Sequence, residues 1–428
     1  MGVHERGDET VAVRGWSAAA RVGFRFVFCY FVQFAFFSGH KTVVEKIPLV
    51  GHRMQELLAR PYVLAAQWLG VHVFHLTGAA AVPHFSGFAD RALDWIAAGL
   101  MVAIAVVATT VWTVVDRRRV EYADLMAWLR FGLRLTLAIA MLWYGSIKLF
   151  PMQVEPPSLA VLHEPVGNMS PMTILWTLLG TNPAYERLCG ALETLCALLL
   201  LFRRTALMGS LLSLVVMSNV VLFNYFFDVP VKLYATNLLL IAVVLIAPDV
   251  RAMFDFFLSR KACVPRSLWV PPVKRRSFKI ATLLIELGLV LVMIKPFFSH
   301  EGYSRAAAAE RNPSKLVGQW HLESGSLTTN DGAAMTDLFF EPTGRATVRG
   351  ANDVLWGSGF YDEKNVSLPT YLGAGVDYEI RASDATNLAL MPKDAKNPEL
   401  LLKRVEIPLH YRIYDRGFHL VSEWGFEQ

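Results

Sequence analysis

Residues 205–248 read TALMGSLLSLVVMSNVVLFNYFFDVPVKLYATNLLLIAVVLIAP. Two apolar runs, 205–224 and 232–248, flank the short turn 225–231. A membrane-crossing helix needs about 20 such residues, so the stretch reads as a transmembrane hairpin. The whole composition agrees. Of 428 residues 54% are hydrophobic and 18% charged, against about 25% charged in a soluble globular chain. A chain this apolar cannot cover itself with a polar surface, which excludes a wholly soluble, disordered or fibrous protein.

Working outward, further bilayer-length runs lie at 20–39, 91–115, 128–148, 187–202 and 278–297, with a weaker one at 61–82 that contains Gln67, His72 and His75. The run 187–202 is followed at once by Arg203-Arg204-Thr205, so 187–224 reads as a tight hairpin turning at that arginine pair. The first twenty residues carry His4, Glu5, Arg6, Asp8, Glu9 and Arg14 and no apolar core, unlike a signal peptide. The span 20–39 is therefore expected to be a retained anchor.

Basic residues set the orientation. Arg117-Arg118-Arg119 follow one span and Arg203-Arg204 another, and eight Lys and Arg fill 249–279, from Arg251 to Lys279. The long loop 149–186 and the turn 225–231 contain none. By the positive-inside rule, 149–186, 225–231 and everything after residue 298 lie on the outer face of a bacterial inner membrane. If 61–82 spans, there are eight helices and the N-terminus is outside; if it is re-entrant, there are seven and it is inside. The basic-residue count leans slightly to eight. The net charge of +5 belongs to this topology and not to nucleic-acid binding.

After Pro296 and a charged, alanine-rich linker at 301–312, short apolar runs alternate with turn residues. They include Leu338-Phe339-Phe340, Val354–Tyr361, Tyr378-Glu379-Ile380, Leu388-Ala389-Leu390, Leu400–Val405 and Phe418–Trp424. This spacing predicts a small antiparallel sheet or barrel. Gly318-Gln319-Trp320 ahead of it resembles the Gly-x-Trp that opens a lipocalin-type barrel, whose indole closes one end. The expected architecture is an all-α polytopic membrane bundle of seven or eight helices followed by this β domain. Its parts are an N-terminal membrane region (1–127), a four-helix membrane region (128–250), a basic loop with the last span and linker (251–312), and an extracytoplasmic β domain (313–428).

Ionisable groups inside membrane helices need a reason. Glu193 lies seven residues after Glu186, about 10 Å deeper by helical rise, and Lys148 closes the preceding span after Trp143-Tyr144-Gly145. Asn219 and Asn224 end the next helix, and Asp228, Pro230 and Lys232 occupy the turn beyond. Topology brings Lys148, Glu193, Asn224, Asp228 and Lys232 to one face. Glu193 and Lys148 are the candidate catalytic pair, able to exchange a proton or to bind the carbonyl and hydroxyl groups of a quinone-like ring. Tyr144, Trp176, Asn224, Asp228 and Lys232 are candidate ligand-binding residues. The competing reading is an ion pair that locks the bundle, with Trp143 and Tyr144 in an interfacial aromatic belt.

The loop 149–186 is long for a bundle connection, and long loops tend to be functional. Ser170 as cap and Pro171 in the first turn predict a short apolar helix at Met172–Leu179, either a lid over the polar cluster or a packed cap without a ligand. His72 and His75 are expected on one helix face as a buried pair. No HExxH or Glu-x-x-His arrangement supports a metal site. Cys29, Cys189, Cys196 and Cys263 form no CxxC, which argues against a disulfide framework or a zinc ribbon.

These residues carry a resemblance. The stretch Arg134–Pro248 resembles the DoxX family of bacterial membrane proteins, through the run Tyr144 to Pro151, Ser170-Pro171-Met172 with Leu175-Trp176, Gly190-Ala191-Leu192-Glu193, Phe202-Arg203-Arg204-Thr205, and Asn224 with Asp228 to Lys232. That is about a quarter of the chain. Ser86-Gly87-Phe88-Ala89-Asp90 and Arg416-Gly417-Phe418-His419 are similar to segments of a longer subgroup with extra N-terminal spans and a C-terminal β domain. The resemblance implies a membrane bundle in the neighbourhood of quinone and thiol redox chemistry. One related member is the membrane subunit of a thiosulfate:quinone oxidoreductase. The expected function is thus a redox-linked, quinone-associated component with the lipid bilayer and an envelope or redox protein as partners. The alternative is a non-enzymatic lipid- or partner-binding assembly protein using its β domain. A transporter is the weakest reading, because no inverted repeat is visible.

Overall fold

The structure is a computed structural model describing residues 16–37, 51–82, 90–262, 288, 314–328, 333–353, 355–368, 375–394, 396–407 and 411. The expected span 278–297, apart from residue 288, and the expected strand Phe418–Trp424 lie outside these residues. Among the described residues the α-helices are α1 (Ala18–Phe37), α2 (Gly51–His72), α3 (Ala92–Val115), α4 (Ala123–Leu149), α5 (Leu159–Leu162), α6 (Pro171–Gly180), α7 (Pro183–Leu201), α8 (Ala206–Phe226), α9 (Lys232–Ile246) and α10 (Val250–Phe257). Five helical segments here are long and apolar enough to cross a membrane: Ala18–Ala35, Ala92–Val115, Ala123–Leu149, Ala206–Phe226 and Lys232–Phe257.

Contacts divide the chain into two compact units. The helical unit holds α1 to α3, α4 up to Trp143, α7 from Glu193, α8 up to Tyr225, α9 and α10. The second unit holds Tyr144–Leu192, Phe226–Val229 and the C-terminal β domain.

Within the helical unit, buried Arg25 of α1 is satisfied by the end of α3 and the α3–α4 connection. Its guanidinium donates to the Tyr122 hydroxyl, to Thr113 Oγ1 at 2.9 Å and to the Asp116 carbonyl at 2.8 Å. A buried charge is tolerated only when hydrogen-bonded in this way. The hairpin expected at 187–224 is present as α7 and α8. The Thr205 hydroxyl donates to the Leu199 carbonyl at 2.7 Å in its turn. A Cβ on Gly209 would come within 2.8 Å of the Leu200 amide nitrogen, so the two backbones touch where a larger residue has no room.

The weak span differs from expectation. Helix α2 covers 51–72 and stops at His72, and His75 beyond it is in the left-handed region at φ 55°. The two histidines therefore do not share a helix face. His72 instead stacks on Trp68 at 4.9 Å, and its Nδ1 meets the Trp68 carbonyl at 2.9 Å.

The β domain is a closed antiparallel barrel of eight strands in sequence order, from β1 (Gly318–Ser324) through β2 (Met335–Phe340), β3 (Arg345–Gly350), β4 (Leu355–Tyr361), β5 (Asn365–Leu368), β6 (Val376–Ser383) and β7 (Asn387–Pro392) to β8 (Leu400–Val405). Pairing of β1 with both β2 and β8, Trp320 opposite Leu338 and Arg404, closes it and removes the exposed edges. The expected runs cover β2, β4, β6, β7 and β8; Gly318-Gln319-Trp320, expected ahead of the first strand, opens β1 itself, and β3, with arginines on its outward positions, and the four-residue β5 were not among them. Trp320, Leu338, Phe340, Tyr378 and Leu390 fill the interior, each 0% exposed.

The Gly-x-Trp expectation acquires a mechanism here. Gly318 sits at φ 140°, and a Cβ there would lie 3.3 Å from Arg404 Nη2. The Arg404 guanidinium lies 5.3 Å from the Trp320 ring centroid and donates to the carbonyls of Lys315 at 3.1 Å and Val317 at 2.6 Å. Trp320 Nε1 donates to the Leu316 carbonyl at 2.7 Å. Indole and guanidinium together seal one end of the barrel.

Candidate functional site

The candidate residues are distributed over both units. Tyr144, Lys148, Trp176 and Asp228 belong to the second unit, and Glu193, Asn224 and Lys232 to the helical unit. Glu193 is buried at 2% exposure, whereas Asp228 is exposed at φ 54°. Asn224 is buried and donates to the Val231 carbonyl at 3.3 Å, closing the turn before α9. Lys232 starts α9 beside the buried Asp90 carboxylate, 4.0 Å from its Nζ. The same carboxylate accepts from the amides of Lys232 at 2.5 Å and Leu233 at 3.0 Å. Asp90 thus caps α9, where a negative charge also suits the helix dipole. Its place in the sequence showed only as the end of a family-like segment.

In the second unit the end of α4 and the start of α7 meet at Gly190. A Cβ there would come within 2.7 Å of the Gly145 carbonyl and also strike the backbone of Lys148 and Leu149. Glu186 lies one turn before Gly190, and Glu193 follows three residues after it, so all three share a face of α7. Glu186 is a candidate residue that sequence reasoning passed over, since an acid in a first helical turn is ordinarily a solvated dipole partner. Here it is 4% exposed, and its Oε1 accepts from the amides of Gln153 and Val154, both at 3.2 Å. Among the described residues its Oε2 and the buried Gln153 Oε1 have no hydrogen-bond partner. Burial pushes the Glu186 carboxyl above the ordinary glutamate range, against the pull of the two amides and of the Lys148 and Arg187 charges. A buried carboxyl that holds its proton more tightly in this way is a candidate proton donor.

The loop 149–186 contains the expected short helix. In α6 the Ser170 hydroxyl accepts from the Thr173 amide at 3.1 Å, with Pro171 at the first helical position. The loop is also gripped by the barrel's rim and outer face. Glu341, 3% exposed, accepts from the amides of Leu159 at 2.9 Å and Ala160 at 3.1 Å, the first two of α5. Asp337 is gripped by Arg349 at 2.7 Å and 3.0 Å, by Gln319 at 3.0 Å and by His321 at 3.1 Å. Arg349 lies over Phe339, and His163 of the loop stacks on that same ring at 6.1 Å while its Nε2 meets the Tyr411 hydroxyl at 2.8 Å. Arg345 pairs with Glu155 at 3.1 Å. Outward-facing barrel positions, which would otherwise be solvated, are thereby used to hold the loop. Among the described residues no three His, Cys, Asp or Glu side chains converge on a metal-sized site.

Apolar helices of bilayer length joined to a packed β-barrel define the class of molecule. In sequence, the chain is similar to an uncharacterized protein YwoB of Bacillus subtilis (strain 168), 38% identical over 85 residues. That match takes in 20% of this chain and 55% of the relative, so the chain spans about half the length of the curated relative it matches. No family model matches the chain, and no solved structure matches it.

Proposed function

We propose that this chain is a DoxX-type integral membrane protein that binds a quinone-like ring near the junction of α4 and α7 and handles its protons. The observation that carries the reading is Glu186, a buried carboxyl held at one oxygen by two amides and influenced by the Lys148 charge. Reduction of a quinone to a quinol takes two electrons and two protons. In this reading a redox partner in the envelope supplies the electrons, while protonated Glu186 and the Lys148 ammonium are the proton donors, with Glu193 deeper on the same face of α7. Tyr144 and Trp176 supply ring-stacking surface, and Asn224, Asp228 and Lys232 belong to the turn 225–231 and its flanks. The inner membrane is the compartment, with the barrel on the outer side.

The test is purification in mild detergent, followed by mass spectrometry of extracted small molecules and quinone titration of the wild-type, E186Q and K148M proteins. Co-purifying quinone whose retention falls at least tenfold in E186Q supports the reading. A wild-type protein that retains only phospholipid and binds no added quinone overturns it.

A second reading keeps the barrel as the working part, as an assembly module for an envelope partner. It is favoured by the barrel's use of outward side chains to grip a peptide segment. Its filled interior moves any ligand of this kind to the outer surface.

A further inference from the structure

The stretch Lys232–Phe257 is continuous in hydropathy but not in structure. Helix α9 ends at Ile246, a 3-10 turn follows at Ala247–Asp249, and α10 begins at Val250. Helix α9 with that turn rises about 28 Å, near the roughly 30 Å thickness of a bilayer core. Arg130 of α4 marks the end of the span by donating to the Leu245 carbonyl at 2.9 Å and pairing with Asp249 at 3.5 Å. Helix α10 therefore begins at the membrane surface on the side of the basic loop 249–279.

Val250, Phe254 and Phe257 follow a helical four-and-three spacing on one side and are 52%, 55% and 67% exposed, with Leu258 at its edge, and Phe256 adds a second exposed ring at 57% on the other side. Arg251, Arg260 and Lys261 are exposed as well. The end of the helix is fixed by backbone geometry. Arg260 is in the left-handed region at φ 49°, and the Lys261 amide donates back to the Asp255 carbonyl at 2.9 Å. This turn closes the helix and leaves the two cations side by side at its end. The whole segment 249–279 carries eight basic residues against two acidic ones, Asp249 and Asp255.

We propose that α10 is an interfacial helix that docks on anionic phospholipid. Phe254, Phe257 and Leu258 enter the acyl boundary, and Arg251, Arg260 and Lys261 bind headgroup phosphates. Charge complementarity selects this occupant. A neutral apolar partner would gain nothing from three cations beside an aromatic face, whereas each Lys or Arg near an anionic leaflet favours binding. The inference uses the membrane reading of the chain and is independent of the quinone reading.

The experiment uses the full-length protein. Carbonate extraction of membranes first establishes integration. Purified protein in neutral detergent is then offered equal phosphatidylglycerol and phosphatidylcholine, and retained lipid is counted by native mass spectrometry for wild type, R251Q/R260Q/K261Q and F254S/F257S. Wild type is expected to prefer phosphatidylglycerol, and each removed charge to lower that preference about fivefold. F254S/F257S is expected to weaken retention of both lipids. Equal retention of the two lipids by wild type overturns the proposal, as does an unchanged preference in R251Q/R260Q/K261Q. Release of the protein by carbonate overturns it together with the membrane reading, while a loss of quinone binding alone leaves it standing.

Discussion

The carboxylate of Glu341, on the rim of the barrel after β2, accepts the Leu159 amide at 2.9 Å, 182 residues away in sequence. This bond, with its twin to Ala160, ties the loop between α4 and α7 to the barrel. Its importance lies in what adjoins it. Five residues upstream, the amides of Gln153 and Val154 hold Glu186, so the barrel anchors the same strand of chain that anchors the candidate acid.

Removing that anchor is expected to loosen the loop without unfolding the barrel. Glu341→Ala deletes an acceptor shared by the buried Ala160 amide and the half-buried Leu159 amide, at a cost of about 1–3 kcal/mol per buried unsatisfied group. Hydrogen exchange at residues 153–163 should accelerate at least tenfold while exchange in β1 to β8 stays unchanged. Uniform acceleration across both would show that the loop and barrel do not separate in this way.

The grip is expected to weaken in acid through His163. Burial, reinforced by the Arg349 charge, lowers its pKa from the ordinary value of 6.5. The unfolded or undocked histidine then binds protons that the docked one refuses, so docking stability falls as pH drops from about 6.5 through the lowered value. Asp337, held below the usual carboxylate range by Gln319, Arg349 and His321 against the opposing effect of burial, adds a further loss at lower pH. Glu341 acts in the opposite sense, since burial raises it and it takes up a proton more readily when docked. The protection factor at 159–163, which corrects for the intrinsic pH dependence of exchange, should therefore fall below about pH 6.5, and His163→Gln should flatten that step.

Gly190 is expected to accept no side chain. A Cβ there would strike the Gly145 carbonyl and the Lys148 backbone, and overpacking of this kind costs typically about 1–3 kcal/mol. Gly190→Val should lower the Tm and, in the proposed reading, quinone retention with it, whereas Gly167→Ala, which meets nothing within 4 Å, should do neither.

The barrel carries one hydroxyl it does not use. Tyr378 is fully buried, its phenol has no hydrogen-bond partner among the described residues, and burial pushes it up to about 12. Tyr378→Phe removes an unpaired polar group and should leave stability unchanged or raise it by about 1 kcal/mol. Arg404→Ala should do the reverse, lowering the barrel's unfolding free energy by about 2 kcal/mol through two lost carbonyl bonds and the contact over Trp320. Denaturant unfolding of the full chain, read by Trp320 fluorescence against W320F, separates the two.

Much of the architecture was legible in local sequence because it rests on local causes. Apolar run length sets which helices suit a bilayer, Ser170 with Pro171 starts α6 by satisfying its own end, and Gly318-Gln319-Trp320 announces a barrel since only glycine fits beside Arg404. Where local signals compete, the structure departs from expectation: α2 runs earlier than its apolar residues suggest, and Arg345 and Arg349 at the two ends of β3 conceal a strand. The roles of Asp90, Glu186 and Glu341 were invisible for a different reason. Each is a carboxylate whose partners are backbone amides far away in the chain, and an amide carries no residue identity for a sequence to display. The sequence by itself determined that this protein carries membrane-length helices and a barrel. The tertiary structure alone decided which acids are buried and what they hold, because desolvation and hydrogen bonding depend on distance in space and not on position along the chain.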